Sequence, residues 1–324
     1  MLRALGLGDF LTGLPALRAL AAAYPDHRRV LAAPAAIEPL ARLSGAVDEV
    51  LDTAPLALLD PSRREADVAV NLHGRGPESH RVLLAAEPAR LIAFAHPDVP
   101  ESAGGPPWAP AEHEVTRWCR LLQASGIPAD TTALDLPTPT IAPPRGTDGA
   151  TVIHPGAASG ARRWPVERWA AVARHQLDAG RHVVLTGSAA ERALATEVAE
   201  RAGLDPAATV LAGRADLLGL AATVAAAGMV LCGDTGVAHL ATAFGTPSVV
   251  LFGPVPPSQW GPPADRPQHV ALWAGRTGDP HAAEPDPGLL EITVADVLAA
   301  LPSRPGDGGP RQAPSSVTSS GRPR

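Results

Sequence analysis

The sequence predicts an α/β protein in which two doubly wound halves face one cleft. Three observations carry that prediction. Strand-like and helix-like patterns alternate along the chain, as parallel strands joined by crossovers require. The alternation stops once, at an aperiodic stretch rich in Pro and Gly over residues 137–149, and then restarts. In both halves, glycine-bearing turns follow strands, which is where an open parallel sheet places its ligands.

In the first half, residues 2–5 read as the end of a strand that runs straight into Gly6-Leu-Gly-Asp9. The chain begins so close to this motif that its first strand is expected to lack a residue or two. Pro15 suits the first turn of a helix and predicts one over residues 15–23. Strands are expected over residues 29–33, 49–52, 67–71 and 90–94, with helical patterns at 36–43 and 78–86. Residues 112–125 form a clear amphipathic pattern, with Val115, Trp118, Cys119 and Leu122 on one face and Gly126 as the stop.

After the linker the pattern gives a strand at 151–154, a helix at 165–179, a strand at 182–186 and a helix at 189–202. A strand at 209–211 and a helix at 217–227 follow, then a strand at 229–232 that breaks at Gly233 into a helix closed by Gly245. Val237, Leu240, Ala241 and Phe244 recur at helical spacing and predict the face that packs on the sheet. A strand at 248–252, a proline-rich loop at 254–288 and a helix at 294–301 complete the half. Residues 302–324 are a polar tail of Pro, Gly, Ser and Arg, expected to be disordered because they cannot bury a core. The expected division is residues 1–136, a linker at 137–149, residues 150–301 and the tail.

Length and composition narrow the function. A chain of 324 residues can hold two domains with separate cores. A net charge of −6, with no basic run before the tail, argues against a general nucleic-acid binder. Every Lys or Arg position is Arg, which fits a G+C-biased genome rather than a function. Cys119 and Cys232 suggest neither a disulfide framework nor a metal cluster. The N-terminus lacks a secretory pattern and no stretch of about 18 apolar residues occurs, so a cytoplasmic protein is expected.

The turns carry the candidate chemistry. At Asp234-Thr-Gly236 a strand gives way to a helix whose free N–H groups and dipole favour an anion. Thr235 and His239 stand four positions apart and are expected to share one polar face. The segment reads either as a phosphate-and-sugar site or as an Asp cap beside a solvated histidine. Gly6-Leu-Gly-Asp9 is not a dinucleotide fingerprint, since the third glycine, Gly13, comes too late and no acidic residue ends the second strand. Asp9 there is either a site residue or a helix cap. In His154-Pro-Gly-Ala-Ala-Ser-Gly-Ala-Arg-Arg-Trp-Pro165, either Arg162 or Arg163 could hold a phosphate through paired donors, while Trp164 reads best as packing. Thr186-Gly187-Ser188 repeats the strand–glycine turn, and Glu191 could accept from ribose hydroxyls or simply sit in a first helical turn. No Asp-x-Asp occurs, and Glu284-Pro-Asp286 is a poor substitute for a metal clamp.

Together these motifs, in this order and spacing over most of residues 1–301, resemble glycosyltransferase family 9, which contains the ADP-heptose:lipopolysaccharide heptosyltransferases. The resemblance implies a GT-B fold of two Rossmann-like domains, with acceptor in the N-terminal one and sugar nucleotide in the C-terminal one. It also implies inverting, metal-independent transfer without a cofactor beyond the donor. By position, Asp9 matches the catalytic base, Ser159 the phosphate loop and Arg162 a position where Lys is usual. Glu191, beside Gly187, matches a ribose contact; Asp234, Thr235, Gly236 and His239 match the donor turn.

The expected function is therefore transfer of a heptose-like or hexose sugar from an ADP- or other nucleotide-linked donor to an acceptor hydroxyl. The acceptor is a glycan, glycolipid or small molecule, with peripheral membrane contact compatible. The alternatives are a sugar-nucleotide epimerase, which needs no acceptor, and a binding protein that senses a nucleotide sugar without turnover.

Overall fold

The computed structural model describes residues 1–59 and 66–301; the expected tail at 302–324 lies outside the described residues. Strands β1 (Val30–Ala33), β2 (Glu49–Asp52), β3 (Val68–Val70) and β4 (Arg90–Ile92) belong to the first half. Strands β5 (Thr151–His154), β6 (Val183–Leu185), β7 (Met229–Gly233), β8 (Ser248–Phe252) and β9 (His269–Trp273) belong to the second. In the first half β1 pairs with β2 and β3 with β4, all parallel. Leu2 joins the two pairs, bridging Ala32 on one side and Asn71 on the other. In the second half one parallel sheet runs in the order β6-β5-β7-β8-β9. Its strands β5, β7 and β8 are buried along their whole length, as central strands covered on both faces must be.

Helices α1 (Leu7–Thr12), α2 (Leu14–Ala23), α3 (Glu38–Leu43), α4 (Glu78–Leu84) and α5 (Glu114–Ala124) accompany the first half. The second carries α6 (Val166–Asp178), α7 (Arg192–Ala202), α8 (Pro206–Thr209), α9 (Leu217–Ala226), α10 (Gly236–Phe244), α11 (Pro257–Trp260), α12 (Pro287–Glu291) and α13 (Val294–Ala299). The face predicted for α5 is the buried one: Val115, Trp118, Cys119 and Leu122 are all inside. The same holds for Val237, Leu240 and Ala241 on α10. Residues 137–149 contain neither helix nor strand.

Four sequence expectations are corrected. The Gly6-Leu-Gly-Asp9 turn is already helical, so two helices meet at Gly13 in place of one beginning at Pro15. The expected strand at 209–211 is reduced to a single bridge from Val210 to Leu185, because the Asp205 side chain caps α8 by accepting from the Ala207 N–H at 2.9 Å. The proline-rich loop at 254–288 contains β9, a half-buried strand at the sheet edge, where flanking prolines are tolerated. Finally, the cores are not separate. The largest one runs from Phe10, Leu14 and Trp118 through Val237 and Leu240 to Val250. A second core, with Ile153, Trp164 and Trp169, covers the other face of the β5–β9 sheet.

Candidate active site

The halves meet where the N-termini of α1 and α10 converge. Thr235 is extended as the cap residue of α10, with φ −145°, and Gly236 opens the helix. A methyl group on Gly236 would lie 2.8 Å from Leu7 Cβ and 3.0 Å from the Gly8 nitrogen. One on Gly8 would lie 3.0 Å from His239 Cδ2. A side chain at Gly236 would hold the two turns apart and one at Gly8 would press on the His239 ring, so glycine at 236 is what lets both sets of free N–H groups face one space.

Asp9 is the third residue of α1, and its Oδ2 accepts from the Gly6 N–H at 3.2 Å. The carboxylate is thus a helix cap, but Oδ1 stays out of hydrogen bonding, 3.8 Å from Arg3 Nη2. The side chain is 27% exposed, enough to meet a ligand. Burial raises its proton affinity above that of an ordinary aspartate; Arg3 opposes this and Glu114 reinforces it.

Asp234 faces it from the other half, inside the protein, with Oδ2 3.8 Å from Arg162 Nη1. Burial pushes its pKa up to about 6, against the pull of Arg162 and with help from the charge of Asp9. Arg162 Nε and Thr235 Oγ1 are buried without hydrogen-bond partners. Orphaned polar atoms beside a carboxylate mark a place prepared for a polar ligand. Of the two adjacent arginines, only Arg162 turns to this site; Arg163 is exposed and donates to the Ala157 carbonyl at 3.1 and 3.0 Å.

The raised Asp234 pKa has a consequence for stability. A carboxyl that binds its proton more tightly folded than unfolded favours the fold at low pH, and that contribution is lost as pH rises from 3.8 through about 6. Asp234→Asn is therefore expected to melt above wild type at pH 8, by about 1–3 kcal/mol in stability. The gap should close toward pH 4, and a constant gap across the range in calorimetry would contradict this account.

Next to the helix N-termini lies a cavity of about 300 Å³ lined by Leu7, His154, Gly187, Glu191, Leu217 and Gly236, among others. Glu191 caps the turn before α7, its Oε2 accepting from the Ser188 N–H at 2.7 Å. Burial would raise its pKa, but the Ser188 N–H, His154 and Arg163 outweigh that and hold it below the usual range. Ser159 is placed differently from the rest: its hydroxyl donates to the Pro280 carbonyl at 2.7 Å, tying down the loop before α12.

His239 does not share a face with Thr235. Because Thr235 is extended, helical spacing begins only at Gly236, and the His239 ring packs against Gly8 and edge-on to Trp260 at 6.0 Å. It lines a second cavity of about 520 Å³ with Thr12, His113 and Arg266. Desolvation, followed by the charge of His113, lowers its pKa to about 4, so the imidazole is neutral. Asp286 caps α12, accepting from the Gly288 N–H at 2.8 Å. Among the described residues no group of three His, Cys, Asp or Glu side chains could hold a metal ion.

A model of glycosyltransferase family 9 (heptosyltransferase) matches residues 107–285, over half of the chain. The chain belongs to glycosyltransferase family 9. Over 155 residues this family 9 chain is 34% identical to lipopolysaccharide heptosyltransferase 2 of Escherichia coli K12, covering 45% of the chain and 44% of that protein. Over 101 residues it is 40% identical to lipopolysaccharide heptosyltransferase 1 of Pseudomonas aeruginosa, covering 31% and 27%. The matched chain thus spans less than half the length of these relatives. Among solved structures, a family 9 glycosyltransferase from Veillonella parvula superposes with a TM-score of 0.75 at 20% identity, covering 92% of this chain and 94% of that one. The E. coli ADP-heptose lipopolysaccharide heptosyltransferase II gives 0.69 at 22%, covering 92% and 96%. At such identity the likeness concerns the fold, which is GT-B with two Rossmann-like domains.

The structure brings Asp9, Arg162, Asp234, Thr235 and Gly236 of this family 9 chain to one junction, with Gly187 and Glu191 in the adjoining cavity. Asp9 lies outside the stretch matched by the family model, so its place here rests on geometry. Trp164 is packing, as expected: it is buried edge-on to Trp169 at 5.0 Å and donates to the Ile292 carbonyl at 3.0 Å. Sequence reasoning missed Arg3, His113 and Glu114. An arginine inside the apolar run of residues 2–5 was a signal for the first; the other two look like ordinary residues of a first helical turn.

Proposed function

We propose that the chain is an inverting, metal-independent glycosyltransferase that moves a sugar from an ADP- or other nucleotide-linked donor to an acceptor hydroxyl. The observation that carries this reading is the meeting of the two helix N-termini, with Asp9 on one side and Arg162, Asp234 and orphaned Thr235 Oγ1 on the other. The donor diphosphate binds at the N–H groups opening α10 and at Arg162, a charge-assisted donor that needs no metal. The cavity beside Gly187 and Glu191 takes the nucleoside. Asp9 Oδ1 removes the proton of the acceptor hydroxyl while its oxygen attacks the anomeric carbon. The bond from that carbon to the diphosphate oxygen breaks, and the charge that develops falls on groups already oriented for it.

Residues 1–136 then serve the acceptor and residues 150–301 the donor. The free oxygen of Asp9 favours turnover over mere sensing of a nucleotide sugar, and attack by an acceptor over epimerisation. Family relatives act on lipopolysaccharide by name, which supports a glycan or glycolipid acceptor. Among the described residues no helix is long and apolar enough to cross a membrane, so such an acceptor would be met at the bilayer surface.

Thermal shift against ADP, ADP-glucose, UDP-glucose and GDP-mannose tests the donor site. A ligand at 100 times its Kd stabilises by about 2.7 kcal/mol. The ADP compounds are expected to raise the melting temperature most, and no shift with any of the four would remove the donor-site reading. Transfer to a working acceptor, followed by mass spectrometry, should persist undiminished in excess EDTA. Loss of transfer to EDTA with recovery on Mg²⁺ would show that a metal, and not Arg162, meets the leaving group.

A further inference from the structure

Arg3 lies wholly inside the protein where the N-terminal segment runs into the Asp9 turn. Its guanidinium donates to four neighbours: the Asp9 and Leu72 carbonyls, Thr12 Oγ1 at 3.0 Å and Glu114 Oε1 at 3.1 Å. Gly13 makes the room, since a methyl group there would lie 3.0 Å from Arg3 Cδ and Nε. A guanidinium keeps its proton, so burying one requires anionic partners. Glu114 takes the hydrogen bond, while Asp9 Oδ1 stays 3.8 Å away in the field of the same nitrogen. Glu114 is itself held, accepting from Trp118 Nε1 at 2.8 Å and paired with Arg117.

We propose that Arg3 is the residue that positions Asp9, and that Glu114 is the counter-charge that governs how strongly Arg3 acts on it. The proposal rests on the reading of Asp9 as the base. An arginine bonded directly to the Asp9 carboxylate would make it a weaker base; with no cation nearby, burial would raise its proton affinity further. Glu114 engages Nη2, the nitrogen 3.8 Å from the Asp9 carboxylate, so Arg3 fixes the turn through the Asp9 carbonyl and Thr12 while leaving Oδ1 free. The charged groups that bear on Asp9 are Arg3, Glu114 from α5 and Asp234 from the turn after β7. Arg3 also faces His73 after β3 and His239 on α10, and Glu114 faces Arg117.

The test is a ¹³C NMR titration of the Asp9 carboxyl in the full chain without ligand, the resonance assigned with Asp9→Asn. Arg3→Met is expected to raise the midpoint and Glu114→Gln to lower it, each by about one pH unit. The double variant should return close to wild type. If the two residues acted only by holding the fold, both variants would loosen the turn, expose Asp9 and move its midpoint downward together. Shifts in the same sense, or no shift in Glu114→Gln, would overturn the proposal. Should Arg3→Met fail to fold by circular dichroism, Glu114→Gln decides alone. The titration needs no substrate, so it stands apart from the transfer assay. Midpoints that move as expected, with Asp9→Asn still turning over normally, would uphold the network and reject Asp9 as base.

Discussion

Replacing Asp9 by Asn is expected to lower kcat by about 10²–10⁴-fold while donor affinity stays near wild type. The amide keeps the size of the side chain and can still accept from the Gly6 N–H, which wild-type Oδ2 does at 3.2 Å. What it removes is the ability of Oδ1 to take a proton. Loss of the cap alone would cost only about 1 kcal/mol of stability, so a folded but inactive variant separates the two roles. The measurements are circular dichroism, calorimetric titration with ADP-glucose or whichever donor binds, and turnover with an acceptor. Wild-type turnover would leave Asp9 as a helix cap and nothing more.

Gly236→Val should damage the site from the other side of the cleft. Its Cβ would stand 2.8 Å from Leu7 Cβ and Cγ and 3.0 Å from the Gly8 nitrogen. Leu7 Cγ can swing away by rotation about χ1, but Leu7 Cβ and the Gly8 nitrogen cannot move without moving α1. Overpacking of this kind costs about 1–3 kcal/mol. Since α1 and α10 form the junction, that strain should appear as donor affinity weakened by about 5–150-fold, at about 1.4 kcal/mol per tenfold. Gly104→Ala is the control, because a methyl group there meets nothing within 4 Å. Equal donor affinity in Gly236→Val and the control would show that the close approach of the two helices is not needed for binding.

The alternation of strands and helices was readable because each signal is local. The buried runs at β5, β7 and β8, the stripe on α5 and the glycines that end α7 and α10 act within a few residues of chain. The turns at Asp9, Glu191 and Asp234 were legible as candidates for the same reason, since each follows a strand with its own glycine, whereas the choice between Arg162 and Arg163 stayed open until folding turned Arg162 toward Asp234. The edge strand β9 was not legible, because the prolines flanking it mimic a loop and its pairing with β8 is set by the sheet, not by its own sequence.

The remaining features depend on contacts between distant parts of the chain. Arg3 and Glu114 are 111 positions apart, and neither residue carries a local mark of the other. Glu114 looks like a solvated first-turn acid until α5 is folded against the N-terminal segment, and only then does it become the partner of a buried cation. His239 is turned toward Gly8 and Trp260 because the extended cap at Thr235 breaks the spacing that would have aligned them. The single core linking the halves has the same origin. Apolar stripes are written locally, but which stripes share an interior is settled by where the small residues, here Gly8 and Gly236, allow two backbones to touch.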